Sequence, residues 1–388
     1  MRPDEHPTLG LYLHIPFCVR KCLYCDFYSA KPEQGVEKRY VEALIKHLEK
    51  TAPTAEDYDV DTVYFGGGTP TLLGAGALGR ILAAVRQNYR LTKDAEITTE
   101  CNPVTGSDEL FFGLAAAGFN RVSVGLQSAD EGELKALGRP HDFAAFQSTY
   151  RGLLAAGIRN VNVDVMFGIP HQTRESFVKT LDAVIAAGPT HVSAYGLRVE
   201  AGTPFAAMKD LPLPDDDATA DLQLLAAERL TAAGYEHYEV SNYARPGYAC
   251  RHNLRYWYGS PYLGFGPGAH AFFGGVRYAF PRDTAAYLDA AGKGDFDTLV
   301  RDREAVTGKN AQDEYVMLRM RLFEGVDEAD FKTRFGTSFE NAYGPFDRLE
   351  KAGYLCRAGG RTRFTERGMY VSNAILSEWL DFGKGDRP

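Results

Sequence analysis

Between Leu11 and Leu197 short apolar runs alternate with amphipathic stretches at a steady beat, and that rhythm is the strongest constraint on the fold. Leu11–Phe17, Asp61–Phe65, Glu96–Glu100, Arg121–Gly125, Asn160–Phe167 and His191–Leu197 read as strands. Val36–Ala52, Ala77–Tyr89, Asp108–Ala117, Asp142–Ala156 and Arg174–Ala187 read as the helices between them. Helices that run into Gly118, Gly157 and Gly188 carry the residue that tolerates a left-handed terminus. Repeated β–α units imply a parallel sheet with right-handed crossovers. Six units fall short of the eight that close a barrel, so the expected core is an incomplete, open (β/α)6 barrel of the α/β class.

Beyond the beat, the acidic stretch Leu211–Asp217 reads as a surface connection, followed by a helix over Ala218–Ala233 and a strand over Tyr235–Val240. Asn242 to Phe280 is aromatic and glycine-rich, with no clear periodicity. A helical pattern returns at Ala311–Leu322. Helices over Val326–Phe335 and Ser338–Ala352, a hairpin over Tyr354–Thr365 and a closing helix over Met369–Trp379 suggest a small winged-helix-like α+β domain. The expected division is a barrel over 1–240, a connecting region over 241–305 and the winged-helix-like unit over 306–388.

A formal charge of −8 argues against a general nucleic-acid binder, which needs surplus Lys and Arg for phosphates. No apolar run is long enough to span a bilayer, and the polar start from Met1 to Gly10 lacks a secretory signal, so a cytoplasmic protein is expected.

Three of the six cysteines fall within eight residues, as Cys18-x3-Cys22-x2-Cys25, just past the first strand. Parallel α/β folds carry their chemistry at the C-terminal ends of strands. Thiolates suit iron–sulfur clusters or zinc. A four-iron cluster held by three thiolates keeps one iron free to chelate an amino acid. A zinc site is the alternative; His14 is the nearest fourth donor, but it precedes the triplet and would have to turn back. Tyr12-Leu13-His14-Ile15-Pro16-Phe17-Cys18 with the triplet resembles the radical S-adenosylmethionine superfamily. Within it, the chain is similar to the branch containing oxygen-independent coproporphyrinogen III dehydrogenases and heme chaperones, from Tyr12 to about His270.

That resemblance implies a [4Fe–4S] cluster on Cys18, Cys22 and Cys25, with S-adenosylmethionine on the open iron. It assigns Gly67, Gly68 and Thr69, in Gly66-Gly67-Gly68-Thr69-Pro70, to the methionine amino group. It also places Tyr12, Tyr24, Glu100, Gln127, Arg139, Asp164 and Gly196 at the cofactor. A buried Asp164 needs a partner, for which Arg139 and the cofactor hydroxyls are the candidates.

Two features separate the branches. The dehydrogenases continue the triplet with a further cysteine where this chain has Phe27, and Phe27 cannot serve as a thiol. His252-Asn253-Leu254-Arg255-Tyr256-Trp257 resembles the heme-binding segment of the chaperone branch. His252 is then the candidate heme ligand, with Tyr256 and Trp257 as flat apolar surface and Arg251 and Arg255 as propionate partners. Tyr262 and His270 are candidate additions to the pocket, and Cys250 a candidate second ligand or thioether site. The expectation is a heme chaperone that hands heme to an acceptor, such as a respiratory membrane protein at the inner face of the membrane. Cluster and cofactor would gate transfer or homodimerisation. Coproporphyrinogen III dehydrogenation is the alternative function.

Overall fold

The computed structural model describes residues 6–380; residues 1–5 of the polar N-terminal segment and 381–388 of the C-terminal unit lie outside them. Six parallel strands form its centre: β1 (Thr8–Ile15), β2 (Asp59–Gly67), β3 (Arg90–Cys101), β4 (Arg121–Gln127), β5 (Asn160–Phe167) and β6 (His191–Gly196). The helices between them are α1 (Val36–Thr51), α2 (Gly74–Asn88), α3 (Asp108–Ala117), α4 (Glu131–Ala136), α5 (Phe143–Ala155) and α6 (Arg174–Ala187). The expected beat is the observed one, except that α4 was not expected and β3 starts at Arg90, ahead of the expected Glu96.

Side-chain alternation fixes which way each strand faces. On β1, Leu9, Leu11, Leu13 and Ile15 are fully buried in the large apolar core, while Tyr12 and His14 project from the other face. Asp142 and Thr173 cap α5 and α6 by accepting backbone N–H bonds, and Gly118 and Gly188 end α3 and α6 in the left-handed conformation.

The sheet does not close. After α7 (Asp216–Ala232), β7 (Glu236–Glu239) and β8 (Asn242–Ala244) turn back antiparallel on β6. The helix α8 (Arg251–Trp257) follows, and then β9 (Tyr262–Phe265), which lies parallel to β1 on its free edge. β10 (His270–Phe273), β11 (Val276–Ala279) and β12 (Arg301–Ala305) extend that edge, with α9 (Thr284–Lys293) between the last two. The stretch without periodicity thus holds four short strands and a helix. None exceeds seven residues, too short for a period to register.

The C-terminal unit begins with α10 (Gly308–Arg319), then β13 (Val326–Asp327), α11 (Glu328–Phe335), α12 (Phe339–Tyr343) and α13 (Asp347–Lys351). The hairpin of β14 (Leu355–Ala358) and β15 (Arg361–Phe364) follows, then α14 (Glu366–Tyr370) and α15 (Ser372–Trp379). Its own apolar core includes Phe331, Phe339, Phe346 and Phe364. The single helix expected over Ser338–Ala352 is two helices, because Gly344 and Pro345 interrupt it and proline has no N–H to continue the ladder. Val326–Asp327, expected as helix, pairs with β15, and Asp327 caps α11. Among the described residues no helix is long and apolar enough to cross a membrane.

Candidate functional site

The loop between β1 and α1 carries the three thiols to the C-terminal ends of the strands. Backbone bonds pin it: Leu23 N–H donates to Leu137 O at 3.1 Å and Phe205 N–H to Leu23 O at 3.1 Å. Gly138 packs so closely on Leu23 that a Cβ there would lie 2.9 Å from its side chain, at a φ of +71°. Arg139, next in sequence, brackets the loop to the barrel. One of its nitrogens donates to Gly125 O at 2.6 Å and another lies 3.6 Å from Cys22 Sγ.

Cys18, Cys22 and Cys25 line one end of a cavity of about 800 Å³ that runs down inside the barrel. Tyr24, Gly67, Gly68, Thr69, Glu100, Gln127, Arg139, Asp164 and Gly196 line it too. The chain thus brings nine of the ten expected cofactor residues to one wall. Tyr12 is the exception. It lies behind Tyr64, with ring centroids 6.2 Å apart, and its hydroxyl sits 3.1 Å from His14 Nδ1. Phe27 is 67% exposed at the mouth.

Among the described residues no three donors are set to hold a single metal ion, but three soft thiols at one end of a cavity are the donor type that suits the larger iron–sulfur cluster. Burial, with Cys22 and Cys18 beside it, pushes the Cys25 thiol up to about 11, so its thiolate is favoured only beside positive charge. His14 is not a fourth ligand. It is buried, its Nε2 hydrogen-bonds Tyr28 O at 2.8 Å and its Nδ1 faces Tyr12.

The carboxylates are held by neutral donors. Glu100 accepts from Tyr64 Oη at 3.0 Å and from Gly67 N–H at 3.1 Å. Burial, and then the nearby Asp164 charge, raise it to about 7. Asp164 accepts from Asn162 Nδ2 at 2.7 Å and Ser123 Oγ at 3.3 Å, and burial still raises its pKa. The expected Arg139 partnership is replaced by these bonds, because Arg139 is committed to Gly125 and Cys22. Gln127 adopts φ +71°, a left-handed strain at the end of β4, and accepts from Tyr195 Oη at 2.8 Å.

The segment around His252 plugs the opposite end of the barrel. Glu96 of β3 accepts from the N–H groups of Arg251 and His252, both at 3.1 Å, and so caps α8 from inside the sheet. His252 is buried, stacked 5.2 Å from Tyr64. Its Nδ1 lies 2.9 Å from Thr62 Oγ1 and its Nε2 2.8 Å from Tyr256 Oη. Thr62 Oγ1 also accepts from Arg255 Nε at 3.1 Å, so both ring nitrogens of His252 face engaged hydroxyls. Burial first, then the charges of Arg255 and Arg121, push this imidazole down to about 3. Arg255 is bonded to Asp61, and Arg251 to Asp94 and Asp61, so both are already engaged. Cys250 is fully buried, its thiol 3.5 Å from Glu96 and raised to about 12. Tyr262 packs edge-on to Tyr256 at 4.7 Å, and His270 is exposed on β10.

Arg121, Asn162, Ser193, Ser241 and Asn253 line the same cavity and were missed in the sequence. The signal was present on β4, where Arg121, Ser123 and Gln127 alternate with Val122, Val124 and Leu126. Polar residues at every second position mark a strand with a lined cavity on its inner face.

Residues 12–184 match the radical SAM superfamily, and residues 306–371 match the HemN C-terminal domain. The chain superimposes on the solved structure of coproporphyrinogen III oxidase (HemN) from Escherichia coli with a TM-score of 0.84. That likeness covers 97% of this chain and 91% of the other at 24% identity, and so speaks for the fold. Open barrel, thiol loop and matched domains define a radical S-adenosylmethionine protein, a class whose cofactors are a [4Fe–4S] cluster and S-adenosylmethionine. Heme chaperone HemW of Mycobacterium tuberculosis (strain ATCC 25618 / H37Rv) is 37% identical over 98% of this chain and 97% of its own length. Heme chaperone HemW of Escherichia coli (strain K12) is 37% identical over 96% and 98%, and that of Haemophilus influenzae (strain ATCC 51907 / DSM 11121 / KW20 / Rd) 33% over 96% and 98%. The chain belongs to this heme chaperone HemW family.

Proposed function

We propose that the chain is a heme chaperone that holds a [4Fe–4S] cluster on Cys18, Cys22 and Cys25, takes S-adenosylmethionine beside it, and passes heme to an acceptor protein. The observation that carries this reading is the similarity to heme chaperones over 98% of the chain, which spans the thiol loop, α8 and the C-terminal unit. When bound, the cluster supplies an electron and an open iron for the cofactor's amine and carboxylate.

The chain's own residues do the positioning. Gly67, Gly68 and Thr69 bring backbone close to the methionine end, with Glu100 held by Tyr64 and Gly67 as an acceptor for its ammonium. Asp164, oriented by Asn162 and Ser123, is the acceptor for ribose hydroxyls. Arg139 keeps the thiol loop against β4, while Tyr24, Gln127 and Gly196 border the cofactor.

His252 is the heme ligand in this reading. Its depressed pKa keeps the ring neutral, as metal ligation requires, but ligation needs α8 to release at least one ring nitrogen. Loading is therefore coupled to movement of α8, which shares the cavity through Asn253. The acceptor is a respiratory membrane protein, met at the inner face of the membrane, and cluster and cofactor gate transfer or self-association.

Anaerobic reconstitution followed by hemin titration tests the reading. Wild type should show a Soret band that His252→Ala shifts or weakens. An unchanged band and affinity in the variant would remove His252 as ligand. A parallel incubation with coproporphyrinogen III, reductant and S-adenosylmethionine should leave the substrate intact.

A further inference from the structure

The cavity is longer than the wall of cofactor residues. Its lower end, at the N-terminal side of the strands, is lined by Arg121, the first residue of β4, and by Asn253 of α8, while Ser241 lines it beside Ala194 of β6. Arg121 is 1% exposed, and no hydrogen bond or ion pair reaches it among the described residues; its Nε is buried without a partner. A buried guanidinium with no hydrogen-bond acceptor is costly.

The neighbouring carboxylates favour its charge through space but give it no hydrogen bond. Glu96, Glu100 and Asp164 lie within its electrostatic reach but bond other groups: the start of α8, Tyr64 with Gly67, and Asn162 with Ser123. The carboxamide of Asn253 and the hydroxyl of Ser241 also lack partners among the described residues. Arg121 and Asn253, one of them charged and both unengaged, thus face the lower end of the cavity.

We propose that this lower chamber is a carboxylate-binding subsite in which Arg121 pairs with the carboxylate and Asn253 adds a hydrogen bond. Arg121 presents parallel N–H groups that match a carboxylate's two oxygens. Two sources have this chemistry: a propionate arm of a tetrapyrrole, or a free short carboxylic acid. The first deepens the heme reading and rests on it. Asn253 adjoins His252 on α8, so an arm of a tetrapyrrole held by that helix has this chamber beside it.

The test uses the full chain with iron-free mesoporphyrin IX, its dimethyl ester and sodium propionate. Iron-free probes do not depend on any axial ligand. Fluorescence titration should show the diacid binding at least about tenfold more tightly than the ester, the loss expected for one charge-assisted pair. Arg121→Gln should bring the diacid down to the ester's affinity, and Arg121→Lys, which keeps the charge and guards against a folding defect, should retain part of the difference. If diacid and ester bind alike while propionate raises the melting temperature of wild type but not of Arg121→Gln, the site holds with the free acid as occupant. Equal diacid affinity and equal propionate response in wild type, Arg121→Gln and Asn253→Ala would overturn it. A hemin titration that fails while the propionate response persists would remove the heme reading and leave the chamber standing.

Discussion

The imidazole of His252 is bound to the hydroxyl of Thr62 at 2.9 Å, inside the barrel rather than at its rim. On the proposal that His252 ligates heme, the ring is held in store there, and each bond on it is a barrier to its use. Tyr256→Phe removes the hydroxyl on Nε2 and keeps the ring. One hydrogen bond is worth about 1 kcal/mol, so hemin should bind roughly fivefold faster in stopped-flow Soret measurements. An unchanged rate would mean that α8 is not the gate.

Arg139 joins the thiol loop to β4 through Cys22 and Gly125. Arg139→Gln should cost about 1.5–3 kcal/mol of charge-assisted bonding and loosen the loop. Anaerobically reconstituted variant is expected to hold less iron and sulfide per chain than wild type after gel filtration, and to melt earlier without the cluster. Full iron retention would count against the bracket.

Gly67 sits at φ +110°, and a Cβ there would lie 2.4 Å from the His14 ring. His14 is held on both nitrogens and cannot step aside. Gly67→Ala should therefore destabilise the fold by roughly 1–3 kcal/mol and impair cofactor binding. Urea melts and equilibrium dialysis with labelled S-adenosylmethionine measure the two effects separately.

Glu239 is fully buried, accepts from Ser241 N–H at 3.2 Å and from Asn242 Nδ2, and is raised by burial to about 7. A carboxyl whose folded pKa is above its unfolded value binds the proton more tightly when folded. Its contribution is present below about 4.5 and is lost as pH rises toward 7. Glu239→Gln removes that loss. Asn242 Oδ1 has no partner, so a flipped Asn242 can accept from the new amide. The variant should gain about 3 kcal/mol at pH 8 and nothing near pH 4.5. Equal slopes of urea stability against pH in both proteins would refute the assignment.

How much of this was legible in the sequence follows from length and spacing. Strands such as Asn160–Phe167 and helices such as Arg174–Ala187 are long enough for their period to show, and their ends were read correctly. The cysteine loop was legible because three thiols in eight residues have few other uses. Short pieces such as β8 and β9 escaped, since a strand of three or four residues carries no period of its own. Partners across the barrel escaped too. Nothing local ties Glu96 to the start of α8, more than 150 positions on, or says that Arg255 is engaged by Asp61.

The strand β3 carries Glu96 and Glu100 on one face, four residues and about 13 Å apart. One grips the first turn of α8; the other stands beside Gly67 at the thiol end. Between them β3 pairs with β2 from Glu96 and gains β4 as a second neighbour from Thr98. Any shift of β3 along its length would therefore move both carboxylates at once.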